Sequence, residues 1–208
     1  MREDKFLFFV GLAFFILFLS GCVSVSDSPS PRKYMPHAIS KDKLTQKLEL
    51  KSNTIIGVGP IRVPEYLDRP QIVTQDKNNL THFAQFDRWA EPIDTALTRV
   101  IDENLSAMLV NADVMKFSWS IFIPVKYQVA ADIIQLENNL EGNLRMVVQW
   151  NVFDLDKKEL VFTKRSEITQ PIQPPDYFGL SEALSQACIK LSYEMAAEVA
   201  VLVNGGGV

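Results

Sequence analysis

Residues 126–168 read KYQVAADIIQLENNLEGNLRMVVQWNVFDLDKKELVFTKRSEI, and this stretch decides the fold. From Lys126 to Glu137, the residues Tyr127, Val129, Ala131 and Ile133 fall on alternate positions, so one face of an extended strand is apolar. Glu141-Gly142-Asn143 supplies a turn. From Leu144 to Leu155, Leu144, Met146, Val148, Trp150 and Val152 alternate strictly, as a strand does when one face lies in a core. Asp154 to Lys158 makes a polar hairpin loop, and Leu160 to Ile168 a third strand. Three strands joined by short polar turns predict an antiparallel meander.

Downstream, Pro171, Pro174 and Pro175 break the chain before a helix that begins at Tyr177 or Leu180 and runs to Val203. Its stripe is Leu184, Ala187, Cys188, Leu191, Met195, Val199 and Leu202, and Gly205 to Gly207 fray beyond it. Upstream, Ala90-Glu91-Pro92 opens another helix, with proline in the first turn where its missing N–H costs nothing. Ile93, Leu97, Val100, Ile101, Leu105, Met108 and Leu109 share one face; Asp94, Arg99, Asp102 and Glu103 decorate the other. A chain of 208 residues, 47% of them apolar, builds one sizeable core. The expected architecture is α+β: a single domain with a mainly antiparallel sheet and two long helices packed on one face.

Thr54 to Val63 reads as a strand, which Pro60 restricts to an edge or a bulge. Gly57 and Gly59 do not make a dinucleotide loop, because no third glycine opens a helix and Pro60 follows at once. Residues 63–73 form a turn-rich connection in which Pro64 and Pro70 bracket Tyr66, Leu67 and Arg69. Such a loop is either a binding element on a rigid scaffold or a hairpin corner whose Tyr and Leu pack inward. Phe83 to Trp89 is a further strand, with Phe83, Gln85, Asp87 and Trp89 on one face. Phe117 to Pro124, with Trp119, Ile121 and Phe122, is either a connection entering the core or an exposed apolar patch.

The N-terminus carries a different message. Met1, Arg2 and Lys5 precede an apolar run from Phe6 to Leu19, too short to span a bilayer that takes about 20 apolar residues. The run closes on Leu19-Ser20-Gly21-Cys22, which resembles the bacterial lipobox. That resemblance implies cleavage after Gly21, acylation of Cys22 and a mature chain held on a membrane without crossing it. Val23 and Ser24 follow, not the aspartate associated with inner-membrane retention, and the resemblance to bacterial lipoprotein sorting signals then implies the outer membrane. Ser24 to about Lys43 is rich in Ser, Pro and charge and reads as a tether, with Tyr34-Met35-Pro36 touching the domain as a short edge strand. The expected organisation is 1–21 signal peptide, 22–43 tether, 44–204 domain and 205–208 disordered tail.

The net charge of −4 is shared by the mature part, since residues 1–21 hold two basic and two acidic groups, and nothing calls for nucleic acid. If Cys22 is acylated, Cys188 has no partner for a disulfide; it lies on an apolar stripe, which favours core packing over a reactive thiol. The two histidines, His37 and His82, fall in the tether and a polar loop, so neither a Ser/His/Asp relay nor a metal site is expected, and no cofactor.

The run Val58-Gly59-Pro60-Ile61-Arg62-Val63-Pro64-Glu65-Tyr66-Leu67-Asp68-Arg69-Pro70-Gln71-Ile72-Val73, followed by Trp89-Ala90-Glu91-Pro92-Ile93 and Arg99-Val100-Ile101-Asp102-Glu103-Asn104-Leu105, resembles the ABC-type transport auxiliary lipoprotein family, the family of paraquat-inducible protein C. The resemblance covers nearly all of the chain after the tether. It implies a non-catalytic outer-membrane lipoprotein, facing the periplasm, in an intermembrane lipid transport system. Its partner would be a periplasm-spanning MCE-domain protein, and it would form a ring-like homo-oligomer. Interfaces of that kind rely on aromatic and arginine anchors, which makes Tyr66, Leu67, Arg69, Gln71 and Trp89 the candidate partner-binding residues. Two other roles compete: an assembly factor or plug for an outer-membrane β-barrel complex, and a periplasmic hydrolase.

Overall fold

A computed structural model describes residues 29–205 apart from 77, 79 and 141. The expected signal peptide, its cleavage residues Leu19, Ser20 and Gly21, and the acylated Cys22 lie outside the described residues, as do residues 206–208 of the expected tail. Pro31–Val208 is one compact unit, separate from Met1–Ser30.

Eight strands and two long helices follow one another along this unit: β1 (Arg32–Tyr34), β2 (Leu48–Arg62), β3 (Gln71–Gln75), β4 (Thr81–Trp89), α1 (Ile93–Met108), β5 (Leu109–Lys116), β6 (Tyr127–Asn138), β7 (Asn143–Asp154), β8 (Glu159–Pro171) and α2 (Tyr177–Val203). The larger sheet has the order β5-β2-β6-β7-β8. Its β6-β7-β8 half is the expected antiparallel meander, in which Trp150 lies opposite Ala131 on one side and Lys164 on the other. The β5-β2-β6 half is parallel. A second sheet, β1-β4-β3, carries one parallel and one antiparallel pairing. The fold is therefore α+β with both sheets mixed.

Alternation decides which face is covered. Tyr127, Val129, Ala131 and Ile133 of β6 and Leu144, Met146, Val148, Trp150 and Val152 of β7 are buried. Against them pack Ile93, Leu97, Val100, Ile101 and Leu105 of α1 and Leu184, Cys188, Leu191, Met195 and Val199 of α2. Burial of this shared apolar surface, at roughly 25 cal/mol per Å², is the main force holding the layers together. One buried polar chain is matched throughout. The Trp150 indole N–H donates to Ser166 Oγ (3.0 Å), and that hydroxyl donates to Glu194 (2.6 Å), which also pairs with Lys164 (2.7 Å). Cys188 is fully buried, and burial alone pushes its thiol up to about 12.

β2 shows how Pro60 is tolerated. The strand lies inside the sheet, not at its edge, and its register with β6 shifts between Val58 and Ile61, so the proline sits in a bulge. Gly59 there has φ +110°, which favours glycine, and its carbonyl accepts from Gln128 Nε2 (2.8 Å). At Gly57 any side chain would overlap the ring of Trp119, so this glycine is a seat for an indole.

Two boundaries differ from the sequence reading. The helix ends at Met108, and Leu109 already belongs to β5, so the stripe that read as one helix covers a helix and the start of a strand. The compact unit also begins at Pro31, inside the stretch expected to be tether. That segment packs Tyr34, Ile39 and Leu44 against the core and adds polar anchors. Ala90 N–H donates to Tyr34 O (2.8 Å), His37 N–H to Ser185 Oγ (3.0 Å), and Ile39 N–H to the buried Asn104 Oδ1 (2.8 Å). Arg99 Nη2 donates to Pro36 O (3.0 Å). Such long-range anchors leave no compositional trace.

Candidate docking face

The segment between β2 and β4 was the most recognisable in sequence, and the structure splits its residues into two groups. Pro64 leads into a single 3-10 turn, Glu65–Leu67, which drives Leu67 inward to 4% exposure. Trp89, at the end of β4, is also in the core at 8% exposure. Leu67 faces the core, and Trp89 shows only a small part of itself to the outside. Tyr66 is half-buried against the same core; its hydroxyl accepts from the Leu136 N–H (3.5 Å), and burial pushes its pKa up.

The outward group is Arg69 and Gln71, joined by residues the sequence did not single out. The register of β3 and β4 shifts between Gln71 and Val73, placing Gln71 opposite Arg88 and Val73 opposite Phe83. The Arg69 guanidinium then lies over the Phe83 ring, 4.1 Å from its centroid, a cation–π contact on a half-exposed aromatic. On the other edge of β4, β1 sets Lys33 beside Arg88 in parallel register.

Between these elements lies a cavity of about 350 Å³ lined by Lys33, Asp68, Arg69, Arg88, Trp89 and Glu91, among others. The Nε atoms of Arg69 and Arg88 are buried and have no hydrogen-bond partner among the described residues. Nearby carboxylates are committed elsewhere. Asp87, 4% exposed, takes Arg32 (2.8 Å) and the Tyr34 hydroxyl (2.8 Å). Glu91 takes Arg99 (2.9 Å), which also reaches Glu103 (3.3 Å). Asp68 is exposed.

A second exposed feature is the connection from β5 to β6. Both readings of Phe117 to Pro124 apply to it in part. Trp119 turns in over Gly57 and meets Phe117 edge-on, with centroids 5.5 Å apart, while Ile121 and Phe122 stand 91% and 90% exposed.

Acid–base chemistry has little to work with among the described residues. His37 is bound to Glu182 (2.8 Å) and His82 to Asp76 (3.4 Å), and no group of three or more metal-ligating side chains converges. The Asp76 carboxyl is held below its usual range first by the Leu80 N–H, with Asn78 and His82 adding to it, so it serves a turn. No described helix is long and apolar enough to cross a membrane. The face presents two arginines and the half-exposed Phe83 ring on the smaller sheet.

Comparison with known proteins agrees on the fold. A crystal structure of an uncharacterized protein superposes with a TM-score of 0.67 at 18% identity, covering 82% of this chain and 99% of that one. Protein XCC0632 from Xanthomonas campestris, described by the family model DUF330, superposes with a TM-score of 0.65 at 15% identity, covering 82% of this chain and 95% of that one. No curated protein matches the chain. The family model of the ABC-type transport auxiliary lipoprotein component matches residues 39–196, and the chain belongs to that family.

Proposed function

We propose that this protein is a non-catalytic lipoprotein of the outer membrane, anchored through Cys22 after cleavage of the Leu19-Ser20-Gly21 signal, and facing the periplasm. It docks the distal end of a periplasm-spanning MCE-domain protein, so that lipid can pass between membranes. The observation that carries this reading is the family match across residues 39–196, nearly the whole compact unit. The geometry supports it by offering a polar-aromatic face in which Arg69 lies over Phe83.

Within the docking face, Arg69, Gln71 and the outer edge of Tyr66 make the contact, while Leu67 and Trp89 hold the turn in place from the core. Copies of the chain assemble into a ring around the partner. The exposed Ile121 and Phe122 suit such assembly, because apolar side chains this open favour burial against another surface.

The test is a detergent pull-down of the tagged full-length protein and its Cys22→Ser variant from cells, read by mass spectrometry, with the mature N-terminus analysed for lipid. Recovery of an MCE-domain protein, reduced in the variant, is the expected outcome. Recovery of only a β-barrel protein moves the chain to the assembly-factor role. An unmodified N-terminus removes the anchor from the account.

A further inference from the structure

The cavity between β1, β4 and the turn before β3 holds an electrostatic arrangement that the fold does not balance by itself. Lys33 and Arg88 sit side by side in register on neighbouring strands, and like charges so placed repel. Arg69 lines the same cavity from the third side. Two of these three cations bury a guanidinium Nε with no acceptor among the described residues. A buried donor without a partner is rare in folded proteins and calls for an explanation. The acids nearby do not supply one: Glu91 is held by Arg99, Asp87 by Arg32 and Tyr34, and Asp68 is exposed.

We propose that this cavity is an anion site that takes a phosphate group. Two guanidinium forks and an ammonium around one space offer more donors than a single carboxylate can accept, whereas phosphate presents several oxygens and is matched well by paired arginines. Besides the three cations the lining holds Asp68 and Glu91, the latter already paired with Arg99, and an apolar part, Pro70, Trp89 and Pro92, that can receive the carbon portion of a phosphate ester. The phosphate is either free or part of a lipid headgroup. The site shares Arg69 with the docking face, but the two readings fail independently: the docking reading is tested by the pull-down, without added phosphate, and this one by phosphate binding to the purified chain.

The experiment uses the mature chain bearing Cys22→Ser, with inorganic phosphate titrated by calorimetry and thermal melting. The native residues should give saturable binding and a rise in melting temperature. Arg88→Gln and Lys33→Gln should each weaken binding by about tenfold, and Arg88→Lys should keep part of it. Without phosphate, Arg88→Gln should melt no lower than the parent, since the group it removes has no partner to lose. No binding, or equal binding by all variants, overturns the proposal, as does a loss confined to Arg88→Gln that tracks unfolding. Dihexanoyl phosphatidylglycerol below its micelle concentration separates the sources: tighter, Arg88-dependent binding assigns the site to a lipid headgroup, and binding no tighter than inorganic phosphate assigns it to the free ion. A polyglutamate peptide binding more tightly than either would overturn the phosphate assignment in favour of a protein carboxylate.

Discussion

Leu67→Ala and Arg69→Ala, two residues apart on one turn, should act on different properties. Leu67 is 4% exposed, so its truncation removes about three buried carbons and leaves a cavity that the turn between Pro64 and Pro70 can only partly close. The combined transfer and cavity cost is about 2–4 kcal/mol. Arg69→Ala removes a cation–π contact with Phe83 worth about 0.5–1 kcal/mol. It also removes a buried Nε that lacks an acceptor, so the net change stays within about 1 kcal/mol. Urea unfolding of the mature Cys22→Ser chain, followed by fluorescence of the buried Trp89 and Trp150, reads both effects. With a slope of about 2 kcal/mol per M, Leu67→Ala should lower the midpoint by roughly 1–2 M and Arg69→Ala by less than about 0.5 M. In a pull-down under native conditions, Arg69→Ala should nevertheless lose the partner. Equal midpoint losses for the two variants would refute the division of this loop into a buried anchor and an outward contact.

Asn104→Ala removes the acceptor for the Ile39 N–H and the donor to Ser192 Oγ (3.1 Å), and should cost about 1–3 kcal/mol. Hydrogen exchange at the Ile39 amide should accelerate more than exchange within β7 if this contact ties residues 31–40 to the helices. The Asp102 carboxyl, raised from 3.8 first by burial and then by Glu103, binds its proton more tightly folded than unfolded. Its destabilising effect is absent below pH 3.8 and grows as the pH rises through the folded pKa, so Asp102→Asn should gain stability over the parent at neutral pH and lose that advantage in acid. Cys188, fully buried with its thiol pushed up to about 12, should resist a thiol reagent in the native Cys22→Ser chain and react at once in denaturant. Rapid native labelling would contradict its place in the core.

The meander was legible because its apolar alternation is regular: Leu144, Met146, Val148, Trp150 and Val152 are buried at a spacing of two, as in a strand with one covered face, and only Val147 is buried out of step. Both helices were legible for the same reason at the helical period. β5 was hidden because the stripe of α1 runs without a break through Met108 into Leu109, and the strand that follows is a half-covered edge with weak alternation. β1 was only glimpsed because what fixes it is its pairing with β4, the bonds of Arg32 and Tyr34 to Asp87 and the Ala90 N–H, all remote in sequence. The orientation of the side chains in the 63–73 loop was half legible. Tyr, Leu and Arg between two prolines mark a loop that matters, but which side chain turns inward depends on the 3-10 turn and the sheet beneath it. Lys33 and Arg88 carried no signal at all, because only the parallel pairing of β1 with β4 makes them neighbours.

The most direct test of the central claim places a photo-crosslinking amino acid at position 71, on the outward edge of the docking face, with position 122 as a comparison on the exposed loop. After irradiation of intact cells, cross-linked products are identified by mass spectrometry. The account predicts that position 71 captures an MCE-domain protein and that position 122 captures a second copy of this chain. Capture at position 71 of a β-barrel protein, of another copy, or of nothing, from cells in which the lipoprotein is correctly anchored, would contradict it.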